Sequence, residues 1–206
     1  MFFIGMVIDD IQKGYGAVVM EKVLTRARKE YLIHDAWNVS SQDEVKAPIE
    51  FIETLYQDNR YIRKKKVFSQ SKRPPRNSSD PPIVMIHETR QGSPVISRLR
   101  SKQVPVNAVY FQAEDGWDQE SLKIIRQGRN FYLNPKAMNA LEKVFTSKRI
   151  TALGEAGNAT MLSGEIERLA VMTDLAGVFS EPSYVLLPPL FLCLWFCETI
   201  RQVKRY

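Results

Sequence analysis

The sequence predicts an α/β protein in which one mixed sheet joins an antiparallel meander to parallel strands, with helices on its flanks. Three observations carry this expectation. Residues 2–9, 15–23 and 30–39 are successive segments rich in branched and aromatic side chains, joined by short connections, which is the pattern of a meander. From Pro81 to Gln112 an apolar run (Ile83 to Ile86) is followed by Gly92, a helix-period segment (Val95, Ile96, Leu99) and a second apolar run (Val104 to Phe111), the order of a βαβ unit. Neither apolar run alternates with polar residues, so both faces of the sheet should be covered.

The elements follow in chain order. Asp10 to Gly14 supplies turn chemistry between the first two strands, and Thr25 to Lys29 a basic connection to the third. Ser41, followed three residues later by Glu44, fits a capping box. The helix it opens should run to about Gln57 and bury Val45, Ile49, Ile52 and Leu55 or Tyr56. Residues 60–82 change character, with four prolines, four serines and eight Lys or Arg, which predicts a long exposed loop. After the βαβ unit, Leu122 and Ile125 suit a short helix within 113–128. Another helix is expected from Asn134-Pro135 through Met138, Leu141 and Val144, and a short strand at 149–153. A helix from Leu162 to Met172 should carry Glu165, Glu167 and Arg168 as surface charges. Asp174 to Pro182 reads as a loop and Leu190 to Val203 as a terminal helix.

Length and composition bound the function. A chain of 206 residues suits one domain (1–206), with the basic loop at 60–82 and a helical C-terminal part at 133–206. A net charge of +6 leans towards a polyanionic partner. The two cysteines, Cys193 and Cys197, share a helix face as small buried hydrophobes, with no zinc-site spacing and a reducing compartment as the natural setting. No signal peptide is read at the N-terminus. Val185 to Cys197 is the most apolar run, but 13 residues broken by Pro188-Pro189 do not span a bilayer, so no membrane partner is expected and the location should be cytoplasmic. The sequence contains no GxxxxGK[ST], GxSxG, HExxH or CxxC, which leaves P-loop motor, serine-hydrolase, zincin and zinc-ribbon readings without support.

A meander leading through a helix into parallel strands is the order of the ribonuclease H-like fold. The segment IVMIHETRQGSPVISRLRSKQVPVNAVYF resembles the second acidic motif of viral large-terminase nuclease domains, in which a strand delivers an acid, a Gly-containing turn follows, and a helix leads to the next strand. IGMVIDDIQKGYGAVVMEK resembles the first strand and hairpin of those domains and of Holliday-junction resolvases. The resemblance covers residues 2–112 and implies a two-metal nuclease. Its carboxylates would hold Mg²⁺ or Mn²⁺ about 3.5–4 Å apart and hydrolyse DNA phosphodiester bonds, with RNA not excluded as a substrate. A viral member would work in the host cytoplasm, in DNA packaging, alongside other packaging or assembly proteins.

The acids implied are Asp9 or Asp10 at the end of the first strand, Glu88 at the end of the fourth, and Asp174 or Glu181 before the last helix. Asp10, Glu88 and Asp174 form the preferred catalytic set. Aligning Gly14-Tyr15-Gly16 without gaps puts Val7 at the first acid position, and a shorter turn is needed for Asp9 or Asp10 to serve. Arg63, Lys64, Lys65, Lys66, Lys72, Arg73 and Arg76, with Tyr61 and Phe68 interleaved, are the candidate phosphate-contacting arm. His34 and His87 read as satisfied sheet histidines, Arg98, Arg100 and Lys102 as a solvated helix face, and Trp37, Trp117 and Trp195 as packing. A catalytically degenerate relative that binds nucleic acid or a protein partner is the alternative.

Overall fold

A computed structural model describes residues 1–9, 14–24, 29–40, 46–65, 78–88, 94–111, 124–133, 138–139, 141–147, 149–152, 158–169, 175–179, 181 and 183–199. The chain opens with β1 (Phe2–Asp9), β2 (Gly14–Leu24) and β3 (Lys29–Ser40), paired antiparallel in sequence order. Next come α1 (Lys46–Gln57), a 3-10 turn (Asn59–Tyr61) and the short strands β4 (Arg63–Lys65) and β5 (Ser78–Asp80). The βαβ unit is β6 (Ile83–Glu88), α2 (Pro94–Ser101) and β7 (Val106–Phe111). Beyond it lie β8 (Ile124–Gln127), β9 (Asn130–Leu133), α3 (Glu142–Thr146), β10 (Ile150–Ala152), α4 (Ala159–Leu169), a second 3-10 turn (Leu175–Phe179) and α5 (Leu187–Thr199).

Eight strands form one sheet in the order β10-β3-β2-β1-β6-β7-β9-β8. β6 pairs parallel to β1, β7 to β6 and β9 to β7, while β8 returns antiparallel and β10 runs parallel to β3. Alternation along β1 sends Ile4, Met6 and Ile8 into one core with α1 and α2, and Phe3 into a second core with α3, α4 and α5. Both faces are therefore covered, which is why the strands read as unbroken apolar runs.

Helix α5 is apolar on every side, and Leu187 to Cys197 are all buried. It lies against β1, β2 and β6, and its approach depends on two glycines. A Cβ on Gly5 would collide with the carbonyl of Pro189, and one on Gly16 with the carbonyl of Val185. Among the described residues no helix is long and apolar enough to cross a membrane.

Several expectations need correction. The helix expected around Ile125 is a hairpin: β8 and β9 pair across Gly128-Arg129, and Gly128 takes φ +61°, which a tight turn demands and glycine permits. Within the stretch read as a loop, Arg63–Lys65 and Ser78–Asp80 pair as antiparallel strands. Tyr61 is not an exposed stacking residue but a core side chain, 2% exposed, whose hydroxyl donates to Asp35. The last helix begins at Leu187 rather than Leu190, because its two prolines occupy the first turn, where a backbone N–H has no helical partner to lose. Glu165 is fully buried rather than a surface charge. The proposed capping box, Phe68 and Trp117 lie outside the described residues.

The candidate active site at the carboxyl ends of the parallel strands

In open α/β sheets, functional groups gather at the carboxyl ends of the strands. Here those ends are set by register. Phe3 lies opposite Ile83, and the parallel pairing continues to Ile8 opposite Glu88, so β1 and β6 finish side by side. Asp9, the last residue of β1, is one step beyond Ile8 and pairs on its other side with Gly14. The backbones of Asp9 and Glu88, far apart in the chain, thus end on neighbouring strands. Asp10 and Asp174 lie outside the described residues.

The C-terminal part of the chain closes over these ends. Val7 and His87 face each other across β1 and β6, and His87 in turn lies opposite Val109 in β7. His87 is buried, its Nδ1 bonds to the Val109 carbonyl at 2.9 Å, and burial draws its pKa down against the opposing effect of that bond. A carbonyl only accepts, so Nδ1 carries the proton of this bond. The edge of its ring meets Phe111 at 4.7 Å and Phe179 at 5.8 Å between centroids. Phe179 also packs on Phe111 at 4.5 Å. Phe179 ends the 3-10 turn that starts at Leu175, so the turn immediately following Asp174 rests on the residue preceding Glu88. Glu181, two residues past Phe179, is exposed, and its Oε1 accepts the Ser183 N–H at 3.4 Å.

Glu165 of α4 fixes the next segment. Its two carboxylate oxygens accept the N–H groups of Val185, Leu186 and Leu187 at 2.7–3.3 Å, which satisfies the N-terminus of α5 with a buried charge. Arg168, one turn on, donates to the Ser183 carbonyl at 3.1 Å. These bonds hold the chain between the 3-10 turn and α5 against the sheet. The spacing of Leu162, Glu165 and Leu169, all buried, is the sequence signal that places Glu165 on the inner stripe of α4.

The remaining sequence candidates fall elsewhere. Arg63 is exposed in β4 beside Lys64 and Lys65, whereas Lys66, Lys72, Arg73 and Arg76 lie outside the described residues. Arg100 is not a solvated charge, for its guanidinium bonds Val106 O, Arg129 O and Asn130 Oδ1 and ties α2 to β7 and β9. Lys102 pairs with Glu53 at 2.6 Å, and Arg98 is exposed. His34 contacts Glu21 at 3.1 Å, the satisfied sheet histidine the sequence implied. Trp195 is core, and Trp37 packs edge-on against Phe51. Among the described residues no three His, Cys, Asp or Glu side chains form a cluster able to hold a metal ion.

A three-stranded antiparallel unit whose first strand pairs with parallel β6, and β6 with β7, with α1 in the connection from β3, is the ribonuclease H-like arrangement, and this chain is an α/β protein of that topology. Among solved structures, the chain is similar to the human cytomegalovirus terminase nuclease domain, Mn soaked and inhibitor bound, with 14% identity over 99% of this chain and 87% of that one and a TM-score of 0.46. A second structure of the human cytomegalovirus terminase nuclease domain is similar at 12% identity over 98% and 85%, with a TM-score of 0.49. No protein-family model matches the chain. No curated protein matches it in sequence.

Proposed function

We propose that the protein, working as one domain over residues 1–206, is a divalent-metal-dependent endonuclease that hydrolyses DNA phosphodiester bonds. The observation that carries this reading is the parallel register of β1 and β6, which ends with Ile8 opposite Glu88, so that β1 finishes with Asp9 at the strand end beside Glu88. The turn after Asp174 packs on His87 at the same edge, which supports Asp174 as the third acid. Asp10, Glu88 and Asp174 are the catalytic set, and Asp9 and Glu181 the further metal-ligand candidates. Carboxylate oxygens are hard donors and fit Mg²⁺ or Mn²⁺. The chemistry a bound pair of such cations supplies is water activation and charge neutralisation at the leaving oxygen. The chain's own part is to hold the carboxylates at adjacent strand ends and to keep the α5 side dry with Phe111 and Phe179. Arg63, Lys64, Lys65, Lys66, Lys72, Arg73 and Arg76 hold the phosphate backbone. DNA is the first partner, RNA an alternative substrate, and packaging or assembly proteins further partners; for a viral chain the host cytoplasm is the place of action.

The test is Glu88→Ala. Mn²⁺-dependent nicking of a supercoiled plasmid should be abolished while the far-ultraviolet circular dichroism is unchanged. Undiminished nicking by this variant removes Glu88 from the mechanism.

A second reading has its own observation. Val7 sits between Gly16 and His87 and packs into the α5-side core, at the position an ungapped alignment assigns to the first acid. On that reading the protein keeps the fold, binds nucleic acid or a partner, and cleaves nothing. Wild-type protein inactive on plasmid, single-stranded and branched DNA in both Mg²⁺ and Mn²⁺ would favour it.

A further inference from the structure

We propose that Asn139 is a positioning residue for the third acid, Asp174; the inference rests on the nuclease reading above. The Asn139 Oδ1 accepts the N–H of Leu175 at 3.0 Å. That N–H belongs to the peptide bond joining Asp174 to Leu175. A peptide is planar, so the hydrogen bond fixes the plane that holds the Asp174 carbonyl and Cα. Asp174 itself lies outside the described residues, and its link to the held amide is covalent. Asn139 and Leu175 are 36 positions apart, so the bond joins two separate segments rather than closing a local turn.

Both sides of this bond are anchored. Asn139 is exposed, but Met138 before it and Leu141 after it are buried in the core that also holds α5. Leu175 and Val178, inside the 3-10 turn, are buried in the same core. At the far end of the turn Phe179 meets the rings of His87 and Phe111, and His87 immediately precedes Glu88 in β6. The turn is thus pinned twice: Phe179 ties it to the strand that carries Glu88, and Asn139 holds the peptide to which Asp174 is joined. The first N–H groups of a 3-10 turn have no partner within it, so a simple cap would add stability and nothing else. A metal ligand needs more than a cap supplies. A carboxylate in a two-metal site has to be held to within about 0.5 Å, which a peptide free to rotate beside it does not permit.

The experiment compares the full chain with Asn139→Ala, which lacks the acceptor, and Asn139→Asp, which keeps it. Melting in EDTA reads the bond alone: the alanine variant should melt about 2–4 °C lower and the aspartate variant like the wild type. Titrating Mn²⁺ then reads the site, through the rise in melting temperature and through plasmid nicking. In Asn139→Ala the midpoint of the thermal rise and the Mn²⁺ concentration for half-maximal nicking should both move roughly ten-fold upward, with the KM for plasmid unchanged. Asn139→Asp should return both to the wild-type value or below, since its added charge favours a cation. Asn139→Leu, similar in size and without an acceptor, serves should the alanine variant fail to fold by circular dichroism. Equal Mn²⁺ midpoints in the wild type and Asn139→Ala, or a shift that Asn139→Asp does not reverse, overturn the positioning role; if the wild type nicks plasmid in the same preparations, the nuclease reading stands without it. A wild type that neither nicks nor responds to Mn²⁺ overturns both.

Discussion

Glu165 Oε2 accepts the N–H of Leu187 at 2.7 Å, so a carboxylate inside α4 caps the first residue of α5. The same side chain takes the N–H groups of Val185 and Leu186, and it is fully buried. Removing it strands three backbone donors away from water. Glu165→Ala is expected to cost roughly 2–5 kcal/mol in urea unfolding. Glu165→Gln keeps the volume but turns a donor towards donors, so it should recover little of that loss. A cost below 1 kcal/mol for the alanine variant would show that water or another acceptor replaces the carboxylate.

Glycine at positions 5 and 16 sets the distance between α5 and the sheet. Gly5 lies under the Pro189 carbonyl and Gly16 under the Val185 carbonyl, and backbone cannot yield as a flexible side chain can. Gly5→Ala should destabilise by about 1–3 kcal/mol or more, read as a lowered melting temperature, through overpacking against a rigid helix. Gly164 has nothing within 4 Å of an added Cβ, and it lies inside α4. Gly164→Ala should therefore stabilise, by about 0.5–1 kcal/mol, through helix propensity. The two alanine variants should move in opposite directions.

The far end of α5 is held by charge. Glu198 receives Lys22 Nζ at 2.8 Å, Lys29 Nζ at 3.1 Å and the Tyr31 hydroxyl at 2.5 Å. Burial works to raise its pKa, and the three hydrogen bonds outweigh burial and bring it to about 2 from an ordinary value of 4.5. A carboxyl whose folded pKa is depressed contributes its full stability above the unfolded value and loses it as pH falls through the folded one. Stability should thus fall between about pH 4.5 and pH 2, measured by urea midpoints. Glu198→Gln should be less stable at pH 7 and lack this part of the slope. An unchanged slope in the variant would assign acid sensitivity to other carboxylates.

What was legible in the sequence follows the range of the interaction concerned. β1, β2, β3, β6, α2 and β7 were all readable, because burial on two faces or one stripe writes itself into hydrophobic periodicity. The β8–β9 hairpin differs from the helix expected there because Leu122 and Ile125 alone are too few to define a period, although Gly128-Arg129 followed by Asn-Phe-Tyr-Leu holds the turn-and-strand signal. β4 and β5 are three polar or basic residues each, with no apolar face to announce them. The adjacency of the Asp9 corner and Glu88 was expected from the order of elements, but the pairing of Ile8 with Glu88 is a matter of register between distant strands, which no local pattern encodes. Glu165 was read as a surface charge because buried carboxylates are rare; its partners, the N–H groups at 185–187, become visible only once α4 and α5 meet.

Metal binding separates the acids at the strand ends. A cation that binds only the folded state raises stability by about 2.7 kcal/mol at a hundred times its Kd, and in a chain of this length that corresponds to a rise of roughly 5–10 °C in melting temperature. Titrating Mn²⁺ against the wild type should give such a rise, and Glu88→Ala should abolish it. Glu181 is exposed and turned onto the Ser183 N–H, so Glu181→Ala should leave most of the rise in place. Asp174→Ala should remove it, because the turn that follows Asp174 is anchored to His87 beside Glu88. Loss of the response in the Glu181 variant with retention in the Asp174 variant would exchange the two assignments. A wild type whose melting temperature ignores Mn²⁺ would favour the degenerate reading, in which Val7 fills the place of the first acid.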